Sequence, residues 1–328
     1  MKERNYSVDL VKVIAMIMVL LLHTGVSTTS YMIESDTRNI IYAFSCIAVP
    51  LFFMVSGYLM SERKIDKNYV IRKTTGIVKF VLITTSIVIV CYNMVDYVDH
   101  GSFTSRSFGL SSYLGWIIQK GYMWQYWYFA SMILVYVISL FIPGRLIFSY
   151  RFLFCSIILS FAIFCLNILY SFETHYLPQT FRIYYWLMYY SLGGVIHHNE
   201  MKITRINWLV VLPVSVVYIL FQYFGPDLGG NEYYFGSFLC MIYAVCVFCA
   251  CLNTHIVNGS VIRECSMLFL PVYAFHVFIL MLFGRVESTL NLNCEFGFLV
   301  LCMIHCFTII SVCWLLMKNV YLRKIFVI

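Results

Sequence analysis

The chain has 328 residues, 62% hydrophobic and only 11% charged, with a formal net charge of +7 and a mean hydropathy of +0.84. A soluble domain carries about 25% charged residues, so this composition excludes an ordinary globular enzyme. The positive charge sits in short loops between apolar runs, which argues for membrane topology rather than nucleic-acid binding.

Taken in chain order, the apolar runs predict ten spans: 8–28, 40–60, 75–97, 122–142, 151–171, 183–198, 206–224, 233–252, 266–283 and 296–317. The expected fold is an all-α, polytopic membrane bundle forming one domain over 1–328. The first run is too long for a cleavable signal peptide. With the N-terminus inside, 15 basic residues fall on the inner side and Arg38, Arg106, Lys120, Arg182 and Arg285 on the outer. That bias predicts cytoplasmic termini and a multi-pass protein of the cell membrane.

The first span, DLVKVIAMIMVLLLHTG, poses the chemical question, because it carries Asp9, Lys12 and His23. An ionisable group inside hydrocarbon costs about 2.5–3.5 kcal/mol on insertion scales and points to function. Asp9 and Lys12 enter at the cytoplasmic end, where a long side chain can snorkel. His23 lies eleven residues further, roughly 16 Å along a helix and on the same face as Lys12. A cation near the cytosol and a deep imidazole suit a long ligand with an anionic cytosolic end and a reactive tip. Acyl-CoA fits that description. A neutral histidine beside its thioester can deprotonate an acceptor hydroxyl. On spacing alone, a snorkelling Lys12 and a His23 bonded to a neighbouring helix's backbone are the simpler explanation of the pattern.

Later segments add further candidates. Ser56-Gly57 lies within span two; small residues there allow helices to approach closely. Arg72, Lys73 and Lys79 follow that span as a basic stretch suited to CoA phosphates or anionic lipid. The outer loop 98–121 contains SYLGWIIQKGYMW, which predicts a short interfacial helix. The aromatic cluster YMWQYWYF, at 122–129, reads as an interfacial belt or a sugar-stacking platform. Glu34, Asp36, Asp96 and Asp99 read as charges of the outer face, able to orient an acceptor. His276 lies within span nine. The thirteen cysteines mostly lie inside spans, as in CMIYAVCVFCAC, and read as buried thiols rather than disulfides or metal ligands.

Taken together, these motifs resemble those of the acyltransferase 3 family of integral-membrane acyltransferases. YSVDLVKVIAMIMVLLLH is similar to its L-D-x-x-R-x10-H opening, with Asp9, Lys12 and His23 at the matching positions. VPLFFMVSGYLMSER resembles its F-F-x-x-S-G-[FY]-L, giving Phe52, Phe53, Ser56, Gly57 and Tyr58. QYWYFASMILVY looks like its Trp-containing fourth span, placing Trp127. YWLMYYSLGGVIHH and LFLPVYAFHVFIL resemble later spans, the second placing His276. The resemblance implies acyl transfer, usually acetyl, from cytosolic acetyl-CoA to a polysaccharide or lipid-linked glycan hydroxyl. It implies catalytic His23 with Asp9, a CoA side at Lys12, Arg72, Lys73 and Lys79, substrate contacts at Ser56, Trp127 and His276, and no metal. Two departures stand out. Lys12 replaces a bidentate arginine with a point charge, and RKTTGIVKF lacks the proline of the family's basic motif. The alternative reading is a transporter that exports a glycan or small polar solute.

Overall fold

In the computed structural model, residues 4–27, 36–101, 109–199, 206–225, 234–290 and 295–326 are described. Glu34 lies outside these residues, as do Lys2, Arg106, Lys202 and Arg205, and the side chain of Asp36 is not described. The regular structure of the described residues is entirely helical. Six helices are long and apolar enough to cross a bilayer: Tyr6–Thr24, Thr37–Met60, Lys67–His100, Trp124–Phe141, Tyr150–Tyr170 and Val300–Lys318. A seventh span results if Gly259–Met267 and Phe269–Arg285, bent by 51° at their junction, count as one. The chain is therefore a multi-pass membrane protein.

All ten expected segments contain a helix, but only six or seven have the length and hydropathy of a span. The shorter ones are Trp208–Phe224, Phe238–Leu252 and Ile183–His198. We number the helices in chain order: α1 Tyr6–Ser27, α2 Asp36–Ser45, α3 Ala48–Met60, α4 Lys67–His100, α5 Leu110–Leu114, α6 Trp127–Phe141, α7 Gly144–Ile147 and α8 Tyr150–Tyr170. They continue as α9 Phe172–Tyr176, α10 Ile183–His198, α11 Trp208–Phe224, α12 Phe238–Leu252, α13 Gly259–Met267, α14 Phe269–Leu290, α15 Glu295–Lys318 and α16 Val320–Ile325. Helix α10 is buried from Tyr185 to Ile196 at every position except Leu187. A helix enclosed by protein does not need the length that lipid demands.

Local chemistry sets the boundaries. Asp66 caps α4 by accepting from the Tyr69 amide, and Gly101, at φ +65°, ends it in the left-handed region that glycine tolerates. The 34 residues of α4 rise about 51 Å, more than the hydrocarbon needs, so Arg72 and Lys73 belong to the helix rather than to a loop. The expected interfacial helix is split into α5 and a 3-10 turn, Gly115–Ile118.

Helix α1 is central, touching α2, α3, α12, α13, α14 and α15. The tightest pairing is α3 against α10. A Cβ added at Gly57 would stand 1.8 Å from the Tyr190 carbonyl oxygen, and one at Gly193 2.0 Å from that of Met54. The two backbones are in contact there because both residues lack a side chain. Gly57 is thus a packing residue.

Candidate active site

The charged entry to α1 is a closed set of bonds. Asp9 is 2% exposed and accepts from Arg4 Nε at 2.5 Å and from Lys12 Nζ at 3.0 Å. Arg4 Nη2 also donates to Ser266 Oγ of α13 at 3.3 Å. One carboxylate balanced by two cations is affordable in a partly buried position, and it fixes where Lys12 lies. Asp9 is fourteen residues from His23, roughly 21 Å of helix rise. The structure therefore pairs Asp9 with the cations and not with the imidazole.

His23 lies on the same face of the same helix, three turns beyond Lys12. Its ring is 4.8 Å from that of His276 on α14 and 5.3 Å, edge-on, from that of Trp124. Its nitrogens make no hydrogen bond among the described residues, and the side chain is half-buried. His276 is fully buried. Its Nδ1 lies 3.0 Å from the carbonyl oxygens of both Val272 and Tyr273. Carbonyls only accept, so Nδ1 carries the proton and Nε2 presents a lone pair. That Nε2 has no partner. Gln125, next to Trp124, likewise leaves its buried Oε1 unpartnered. Two vacant acceptors on the segments that flank His23 fit a ligand that brings hydroxyl protons.

An aromatic network holds this centre. The Tyr273 hydroxyl donates to the Gln125 carbonyl oxygen at 2.5 Å, and its ring packs against Tyr126, Tyr128 and Phe129. These contacts tie α14 to the segment that leads into α6 and so hold His276 and Trp124 beside His23.

Other expected site residues go elsewhere. Trp127 is 6% exposed and packs on Trp186, which stacks on Phe53. It belongs to the aromatic core, and Trp124 occupies the place beside His23. Ser56 lies within hydrogen-bonding reach of Tyr128, one ring removed from Tyr273. Tyr58 packs edge-on against His197, which pairs with Glu62 at 2.9 Å. Arg72 and Lys73 gather with Arg63 around Tyr69. Lys79 is exposed two turns further along α4 and forms no ion pair among the described residues. Of the carboxylates expected on the outer face, Asp99 pairs with Arg285 and Asp96 is buried.

Among the described residues, no three His, Cys, Asp or Glu side chains gather closely enough to hold a metal ion, and the described cysteines are free thiols. Trp124 and Gln125 are the residues that sequence reasoning passed over; their only signal was membership of the aromatic cluster at 122–129.

No curated protein and no solved structure matches the chain. The acyltransferase 3 family model, described as an acyltransferase domain, matches residues 5–318. That span takes in α1 with Asp9, Lys12 and His23, the start of α6 with Trp124, and α14 with His276, so the chain belongs to the acyltransferase 3 family of membrane acyltransferases.

Proposed function

We propose that the protein is a membrane O-acyltransferase that moves an acetyl group from cytosolic acetyl-CoA to a hydroxyl of a cell-surface or lipid-linked polysaccharide. The observation that carries this reading is the His23 centre. An imidazole with unengaged nitrogens stands beside the ring of His276, whose Nε2 is a buried, unfilled hydrogen-bond acceptor, and Gln125 Oε1, on the residue after Trp124, is a second unfilled acceptor. A sugar presents several hydroxyl donors and would fill them. The family supplies the acyl-transfer chemistry.

His23 takes the proton of the acceptor hydroxyl as its oxygen attacks the thioester carbonyl carbon. The C–S bond breaks, CoA leaves as the thiolate, and the imidazolium returns the proton to sulfur. The products are the O-acetyl ester and free CoA, and His23 is regenerated. His276 Nε2 and Gln125 Oε1 orient the hydroxyl, and Trp124 offers a ring for a sugar face. Lys12, held by Asp9, marks the donor side, with Arg72 and Lys73 as further cations; Asp9 acts by positioning Lys12.

The test uses membranes containing the full-length protein and acetyl-labelled acetyl-CoA. Label should appear in a base-labile ester on the glycan. His23→Ala should reduce the transfer about 100- to 10,000-fold, the share that general-base catalysis contributes, with inserted protein undiminished. Unchanged transfer in that variant overturns the mechanism. Glycan movement without any acetyl transfer would mark the protein as a transporter instead.

A further inference from the structure

Helix α13 has two working faces. Through Ser266 and Gly259 it meets α1, where Arg4 donates to Ser266 Oγ and a Cβ on Gly259 would collide with the Tyr6 ring. Its other face lines a cavity of about 300 Å³ with α15 and α16. The walls carry Arg263, Lys318 and Arg323, with Glu264, Trp314 and the apolar Met267 and Met317. The three cations form no ion pair among the described residues. Lys318 Nζ stands 4.1 Å from the centre of the Trp314 ring, which holds the ammonium at the rim.

Three uncompensated cations around one concavity call for a polyanion. The wall also holds an indole and a carboxylate, which inorganic phosphate would leave unused. A purine nucleoside uses both: a flat base for the indole and methionines, and amino or hydroxyl donors for Glu264. The volume lies at the lower end for small-molecule sites, enough for a nucleotide end but not for a whole acyl-CoA. His276 lies nine residues beyond Met267 along the bent α13–α14 pair, about 14 Å of rise away. A ligand anchored here reaches the His23 centre only through a long arm.

We propose that this cavity binds the phosphorylated purine-nucleoside end of the acyl donor. Arg263, Lys318 and Arg323 take the phosphates, Trp314 faces the base and Glu264 accepts from its amino group or the ribose. The proposal rests on the acyl-CoA reading above and moves the main phosphate site from the start of α4 to the end of α15.

The test titrates CoA, and separately adenosine 3′,5′-bisphosphate, into the full-length protein in phosphatidylcholine nanodiscs. The wild type should bind both at one competing site. Arg263→Gln and Arg323→Gln should each weaken CoA binding about tenfold, as expected for losing one charge-assisted hydrogen bond. Arg151→Gln, which removes the same charge from α8, should leave it unchanged. Wild-type affinity in both cavity variants overturns the proposal while leaving the acyl-CoA reading intact. No CoA binding by the wild type overturns both. In discs containing phosphatidylglycerol, a loss confined to anionic-lipid retention would make the cavity a headgroup site and overturn the proposal.

Discussion

Two buried polar regions of this molecule differ in how completely their bonds are filled. At Glu173, 2% exposed, the carboxylate and the guanidinium facing it are both engaged. Tyr184 and Tyr185 donate to its carboxylate, its amide donates to Asn167 Oδ1 at 2.9 Å, and Arg182 lies 4.0 Å from Oε2. Arg182 also donates to the carbonyl oxygens of Leu177 and Glu173. At His23, by contrast, the neighbouring His276 leaves its buried Nε2 vacant, and among the described residues the imidazole meets Trp124 and His276 through ring faces and edges. The filled carboxylate ties Asn167, Glu173 and Arg182 together, although Gln179 Oε1 and Thr180 Oγ1 in the same segment are unpartnered. The vacancy beside His23 is costly to keep and marks where a ligand supplies the missing partner.

The largest effect that can break this contrast lies at the filled carboxylate. Glu173→Gln keeps the shape and removes the charge, leaving the Arg182 guanidinium, 2% exposed, without its counterion. Removing one partner of a buried pair costs about 3–5 kcal/mol. Thermal unfolding in detergent, followed by tryptophan fluorescence, should show a clear drop in Tm. An unchanged Tm would mean that the hydrogen bonds alone hold the network.

Next comes the glycine contact between α3 and α10. Gly193→Ala would place a methyl group 2.0 Å from the Met54 carbonyl oxygen, and backbone cannot rotate aside as a side chain can. The helices must separate, at a cost of about 3 kcal/mol, the upper end for overpacking. The same unfolding measurement checks it. Gly144→Ala serves as the control, because its nearest neighbour is a Phe148 ring atom at 3.9 Å.

These two regions were unequally legible in the sequence. The spacing of Lys12 and His23 could be read directly, because both lie on one continuous helix and 3.6 residues per turn fixes their faces. The meeting of His23 with His276 could not, since it joins residues 253 positions apart through the packing of α1 on α14. Trp127 was the expected aromatic contact, but a 3-10 turn, Trp124–Tyr126, precedes α6. Trp124 lies in that turn beside His23, whereas Trp127, the first residue of α6, packs on Trp186 in the core. Of the ten expected spans, six or seven have the length and hydropathy of a crossing, for a related reason. Hydropathy registers apolar length, and cannot separate lipid-facing α8 from protein-enclosed α10. The cavity cations were visible only as inner-loop charge, because α13, α15 and α16 come together in space alone.

The smallest effect is the most informative, because it separates the two roles of His276. Nδ1 serves the helix by donating to Val272 and Tyr273, whereas Nε2 is vacant. Asparagine can place an amide nitrogen near Nδ1 and has nothing at Nε2; glutamine reaches the Nε2 position. If the vacant atom orients the acceptor, His276→Asn should lower kcat/KM for the glycan about 10- to 100-fold, the effect of losing one hydrogen bond to a buried group. His276→Gln should recover part of that loss, and the KM for acetyl-CoA should stay level in both. Full activity in His276→Asn would make the residue a helix brace like those around Glu173. The contrast between filled and vacant networks would then rest on Gln125 alone.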